Sequence, residues 1–310
     1  MRRTEEVAVE AGADLKVTSG SRHMRMRRRL ATLGLLSPSL VYMGIFFLLP
    51  VGLVVAYSLG ALTLFPGDRY LSLESWGYVF GRSLYMDLFW KSVRMSLTVS
   101  VLVVTFGYPV AYYLAMGARK RKYVLLIVLI APFLTSYLLR VLAWKVILGG
   151  NGVINSLLYS TGVRDPGDPI SWLIYSQFAV ILVLVYVWIP FVALPIFASL
   201  DNLDRSLLEA ATDLGASRWK TFWKITFPLS IPGVIAAFIF VFIPTIGDYV
   251  TPALVGGTRG YMYGNAISDL FLGAFDWQTG SALAIFLLIV VATLIAIFGR
   301  FLNVRTVTIE

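Results

Sequence analysis

Six long apolar runs leave this chain few folds to choose from. A helix needs about 20 residues to cross the hydrocarbon of a bilayer. Runs near 35–60, 92–117, 123–148, 173–200, 230–250 and 280–301 all reach that length. Lipid offers no partner for a backbone N–H or C=O, so each crossing is expected to be helical. The composition agrees: 58% of the 310 residues are hydrophobic and only 14% are charged, against roughly a quarter charged in a soluble domain. The expected fold class is all-α, a polytopic membrane protein with six transmembrane helices. Pro50, Pro109, Pro132, Pro190, Pro195 and Pro244 fall inside the runs and are expected to kink or break them. Broken helices are tolerated where they pack on protein or line a cavity.

The charges flank the runs. Of the 26 Lys and Arg, eight lie in residues 1–29, four form the run Arg119, Lys120, Arg121, Lys122, and four more are Arg205, Arg218, Lys220 and Lys224. Arg300 and Arg305 follow the last run. With the N-terminus inside, 18 cations fall on the cytoplasmic side and six (Arg69, Arg82, Lys91, Arg94, Arg164, Arg259) outside. That excess puts both termini in the cytoplasm. The net charge of +9 therefore reads as topology and contact with membrane lipid, not as a nucleic-acid surface. Residues 1–34 read as a flexible cytoplasmic tail, not a cleavable signal peptide. "RMRRR" is its segment nearest the headgroups. Residues 35–302 read as the membrane domain and 303–310 as a cytoplasmic C-terminal tail. Of the outer connections, 149–172 carries turn chemistry ("GGNG", "DPGDP") and 251–279 is semi-apolar, with room for a short re-entrant or interfacial helix.

Several chemistries are excluded by residue type. There is no cysteine and one histidine, His23, in the basic tail. Disulfides, thiolate metal sites, cysteine nucleophiles and histidine triads therefore have no residues to work with. No G-x-x-x-x-G-K-[ST] loop occurs, so this chain does not bind ATP by that route. No catalytic residue, metal or cofactor is expected on it.

The polar interruption 201–229 contains "EAATDLGASRWKTFWKITFP". Leu203, Leu207, Leu208, Ala211 and Leu214 recur at helical spacing and make one apolar face. Asp201 or Asp204 is placed to cap the start, Gly215 to allow a sharp turn, and Ser217 to cap a second short helix. Trp219, Phe222 and Trp223 gather on that helix among Arg218, Lys220 and Lys224. Pro228 and Pro232 close the segment and start the fifth crossing. This helix–turn–helix bracket suits either a groove on another protein or a seat on lipid headgroups.

The stretch "EAATDLGASRWKTFWKITFPLSIPG" resembles the EAA loop of permease subunits of type I ATP-binding-cassette importers, with Glu209, Ala210, Ala211, Gly215, Ile225 and Pro228 at the family's positions. The resemblance implies the type I importer permease fold in a bacterial inner membrane. It implies two ATPase subunits carrying ATP and Mg, a second permease subunit (a paralogue) and an extracytoplasmic substrate-binding protein. It also makes loop 201–229 the coupling element seated in the ATPase. Glu209 would pair with a cation there and Trp219, Phe222 and Trp223 would act as anchors, with Arg218 beside them. "PFLTSYLLRVLAWKVILGGNGVINSLL" (132–158) and "FIPTIGDYVTPALVGG" (242–257) resemble the spermidine/putrescine branch, though branches importing opine-like compounds, other small cations or ferric iron share parts of them.

Carboxylates at membrane depth are costly and usually functional. Asp248, with Tyr249 beside it, suits a polycation by charge and cation–π contact; the plainer reading is a helix-end cap or an ion pair with Arg140. Asp269 is a second candidate on the substrate path. Arg140 and Lys145 would repel a polyamine and read as structural pairing or snorkelling. Trp90, Trp172 and Trp277 read as an interfacial belt. An ion-driven transporter would show paired mid-membrane charges and inverted repeats, and a membrane enzyme a convergent catalytic set; neither pattern is visible.

Overall fold

A computed structural model describes residue 34 and residues 36–63, 71–165 and 167–306. The tail reading for 1–33, including "RMRRR" and His23, lies outside the described residues. The described residues form helices joined by turns, with no strand among them. Six helical stretches among them are long and apolar enough to cross a membrane, the third being Tyr137–Ser160, which runs through a turn at 149–152. The chain divides into two compact units, Met1–Ala56 and Tyr57–Glu310.

The first crossing is α1 (Leu36–Ser58). Its turn at Gly44–Leu48 is a wide π-turn, placed just before Pro50. A proline ring collides with the carbonyl four residues back, and a π-turn moves that carbonyl aside. The helix therefore runs on through Pro50 instead of breaking.

In the second unit, α2 (Glu74–Gly81) leads into α3 (Ser83–Gly117). The helix α3 begins well before the apolar run, so Lys91 and Arg94 are helical residues, not loop residues. The third crossing differs most from expectation. Residues 123–148 are not one helix. A short apolar helix, α4 (Lys122–Leu134), tightens into a 3-10 turn at Ala131–Leu134 and stops at extended Thr135 and Ser136. Then α5 (Tyr137–Leu148) begins. Pro132 in the last turn of α4 removes a donor, and the chain ends the helix there. A turn at 149–152 follows, then α6 (Val153–Ser160).

The remaining elements are α7 (Gln177–Asp201), α8 (Arg205–Asp213), α9 (Arg218–Ile246), α10 (250–260), α11 (Tyr263–Leu272) and α12 (Trp277–Thr306). The last helix continues to Thr306, so residues 303–306 extend it instead of starting a tail. Helical assignment also continues through Pro109, Pro190, Pro195, Pro232 and Pro244. In α9 the turn Phe222–Thr226 is again a π-turn just before Pro228, and the Phe227 N–H donates to the Phe222 carbonyl. The expected short second helix of the bracket is thus the foot of α9 itself, a single stretch of 29 residues.

The core lies where α3, α7 and α9 meet. Val99 and Val103 of α3, Val183, Val192 and Ile196 of α7, and Ala237 and Val241 of α9 are all fully buried. Lipid tails are as apolar as these side chains, so close fit and buried polar contacts hold such helices together. At Gly233 of α9, a Cβ would lie 2.5 Å from the Ser199 Cβ and 2.8 Å from the Pro195 carbonyl oxygen of α7. Only glycine allows that approach. The Tyr108 hydroxyl and Ser230 Oγ share a hydrogen bond of 2.9 Å between α3 and α9. A second core joins α3, α11 and α12 through Phe89, Tyr263 and Leu283. There the Tyr263 N–H donates to Ser92 Oγ at 2.7 Å. Helix α10 packs on α5 and α7, with Val255 in the first core, and α11 packs on α3 and α12 in the second. Trp90 and Trp172 are more than half exposed. Trp277 is not: its Nε1 is buried and its ring packs on Tyr57 and Phe271.

Candidate functional site

The bracket between α7 and α9 is built by local hydrogen bonds. Asp204, not Asp201, caps α8: its Oδ1 accepts from the Ser206 N–H at 2.9 Å. Those bonds hold its carboxyl below the usual carboxylate range. At the other end, the Ala216 N–H donates to the Ala211 carbonyl and the Gly215 N–H to the Thr212 carbonyl, both at 2.9 Å. This doubly closed C-cap places its turning residue in the left-handed region, and Gly215 has φ +77°. Two residues on, Ser217 Oγ accepts from the Lys220 N–H at 3.3 Å and starts α9. The result is a short amphipathic helix joined to a long one by four residues, Leu214 to Ser217.

Asp201 has a different task. Both of its carboxylate oxygens accept from Lys122 Nζ at 2.8 Å. The pair ties the start of α4 to the end of α7, just before the turn into α8.

The expected apolar face of α8 exists, but this chain covers little of it. Ala211 is buried and Leu208 half-buried, while Leu207 is 46% and Leu214 88% exposed. Ala210 and Glu209 are exposed, and Glu209 makes no ion pair among the described residues. Of the three aromatics, Trp219 is 71% and Trp223 49% exposed. Phe222 faces inward: its ring packs on Tyr108 and Tyr112 of α3 at 5.9 and 5.5 Å. It fixes the foot of α9 to the core and is not an outward knob. Arg218 and Pro228 are exposed. With Tyr108, Tyr112, Trp219 and Phe222, Arg218 lines a cavity of about 330 Å³.

Asp248 sits where α9 ends. It is not paired with Arg140. Its Oδ2 accepts from the Tyr137 hydroxyl at 2.8 Å and its Oδ1 from the Val250 N–H at 3.0 Å. The Tyr137 hydroxyl also shares a hydrogen bond with Thr251. The break before α5 and the end of α9 are thereby joined through one carboxylate. Tyr137 and Thr251 were not legible as partners, since they are far from any shared motif. Tyr249 is 49% exposed, and its carbonyl accepts from Asn265 Nδ2 at 2.8 Å. Asp269 is not brought into this group. It is exposed, accepts from the Tyr261 hydroxyl at 2.6 Å, and lines a separate cavity of about 450 Å³ with Tyr85 and Thr258. No cluster of three or more metal-ligating side chains occurs among the described residues.

Residues 104–308 match a family described as the binding-protein-dependent transport system inner membrane component. The match takes in the bracket, the Asp248 site and most of the core. The chain belongs to this family. It is 38% identical to the spermidine/putrescine transport system permease protein PotB of Escherichia coli over 217 residues, covering 70% of this chain and 78% of that one. Against the PotB of Haemophilus influenzae the identity is 34% over 258 residues, covering 82% and 88%. Among solved structures, a bacterial ABC transporter involved in the import of the acidic polysaccharide alginate has a chain that superposes with a TM-score of 0.65 at 18% identity, covering 91% of this chain and 97% of that one. That likeness speaks to fold. This binding-protein-dependent transport component is thus a permease of the type I ABC importer class, resembling the polyamine branch, and a multi-pass protein of the inner membrane.

Proposed function

We propose that this permease couples ATP hydrolysis on a separate ATPase subunit to inward movement of a polyamine such as spermidine or putrescine. The observation that carries the coupling role is the exposed face of α8. Leu207 on α8, Leu214 in the turn after it and Trp219 at the foot of α9 stand in the open, and Glu209 is exposed without an ion pair among the described residues, on a helix tied across Gly215 to a crossing of 29 residues. Exposed apolar and aromatic side chains of this kind suit a protein interface. Glu209 pairs there with a cation of the ATPase, where partial desolvation strengthens the pair. Two ATPases carry ATP and Mg. A second permease, a paralogue, completes the membrane assembly, and an extracytoplasmic binding protein delivers cargo. Both termini lie in the cytoplasm, in line with the excess of cations there.

The cargo reading rests on likeness to the PotB proteins and on Asp248 beside the half-exposed Tyr249 ring. A carboxylate and an aromatic face suit an ammonium group. Asp269 with Tyr261 offers a second such place nearer the loops. ATP binding closes the ATPase pair and moves α8, and the helices rock to open the cavity outward. Hydrolysis returns it. The test is reconstitution with all partner subunits, measuring ATPase stimulation by the loaded binding protein. Stimulation with spermidine or putrescine is the expected result. Stimulation only by ferric ion or an opine would refute the cargo, and uptake without any ATPase would refute the coupling.

A further inference from the structure

Where α2 meets the start of α12, a cavity of about 560 Å³ is lined by Glu74, Tyr78, Asp276, Gln278 and Thr279. The Glu74 carboxylate has no ion pair among the described residues. Asp276 spends one oxygen on the Thr279 N–H, at 3.0 Å, and keeps the other free. Thr279 is only 5% exposed. Its hydroxyl has no hydrogen bond among the described residues, and it is open to the cavity instead of sealed in protein. A polar group held this deep without a partner calls for one from outside the chain.

This cavity adjoins the one that holds Asp269. Tyr78 lines the first and Tyr85 the second, and their rings lie 6.2 Å apart. In the second cavity Asp269 accepts from the Tyr261 hydroxyl at 2.6 Å, beside Leu84, Leu88 and Leu270. The strip therefore has carboxylates in both cavities and an aromatic pair between them. Arg82 lies over the Tyr78 ring at 4.0 Å and makes no ion pair among the described residues, so this aromatic surface already carries a cation. Three carboxylates against one guanidinium leave negative charge in excess. A metal ion is a poor match, since no three metal-ligating side chains gather among the described residues. A methylene chain bearing several ammonium groups matches both parts: its charges meet the carboxylates and its methylenes lie on rings and leucines.

We propose that the two adjoining cavities form an outer loading site for a polyamine, held by Glu74 and Asp276 in one and by Asp269 in the other. This rests on the polyamine reading and the orientation given above. The test uses the complete transporter without its binding protein, in nanodiscs of zwitterionic lipid so that anionic headgroups do not compete for the amine. Radiolabelled spermidine is expected to bind. Glu74→Gln together with Asp276→Asn, which keeps an acceptor for the Thr279 N–H, should weaken binding by about tenfold, with ATPase capture unchanged as the sign of a folded chain. Tyr78→Leu should weaken it as well. Butylamine, with a single ammonium group, should compete far less well than spermidine; equal competition overturns the inference. So does weakening by Asp248→Asn but not by the Glu74 and Asp276 changes, which would move the binding to the deeper carboxylate. No binding at all, with ATPase stimulation by the spermidine-loaded binding protein intact, overturns the loading site and leaves the cargo standing. Stimulation only by another cargo overturns the cargo reading and the loading site with it.

Discussion

At the scale of single residues, two positions carry most of the argument. Gly215 holds φ +77° with open space where a Cβ would sit, so any penalty for substitution comes from the backbone and not from a clash. A left-handed conformation costs an L-residue about 1–2 kcal/mol. Gly215→Val is therefore expected to fray the turn and sharply reduce ATPase capture, with membrane insertion unaffected. Gly215→Asn, which tolerates that region better, should retain more capture; a pull-down of both variants in parallel checks the order. Tyr137 is the other. Tyr137→Phe removes the hydroxyl that donates to Asp248 and leaves one carboxylate oxygen short of a donor, a loss of about 1–3 kcal/mol. If Asp248 serves the cargo, uptake should fall while ATPase capture stays at the wild-type level. Loss of both together would assign Tyr137 to folding alone.

Elements differ in how plainly they could be read ahead of the structure. The crossings were legible because bilayer thickness imposes a length that no other fold requires. The cap at Ser217 and the turn at Gly215 were legible because both are local, satisfied within three or four residues. The broken third crossing was not. Pro132 looked no different from Pro190 or Pro195, which α7 absorbs, and only packing decides which proline ends a helix. Phe222 was misread for a related reason: an aromatic among cations looks outward in sequence, but its direction depends on Tyr108 and Tyr112, more than a hundred residues earlier. The Lys122–Asp201 pair, 79 residues apart, is likewise invisible to any local pattern. It yields a prediction at this scale. Lys122→Asp or Asp201→Lys alone should loosen α4 from α7 and lower transport-linked ATPase activity, and the double exchange should recover much of it. Two single defects that merely add in the double variant would show that the contact does not matter.

For the molecule as a whole, the orientation can be checked without any transport assay. Single cysteines are unambiguous reporters in a chain that has none. A cysteine at 213 in α8 should be labelled only from the cytoplasmic side, and one at 164 only from outside; the reverse pattern would overturn the topology. The same assembly explains why α9 keeps its helix through three prolines and a π-turn. Its 29 residues rise roughly 43 Å at 1.5 Å each. Its lower tip meets α8 across the bend at Gly215, and its upper tip hands over to Asp248 and Tyr137. A continuous helix can carry a displacement of one tip to the other. If α8 is the coupling element, the clasp between a phenol and a carboxylate at the far end should tighten or slacken with the nucleotide cycle, roughly 40 Å along α9 from the bend at Gly215.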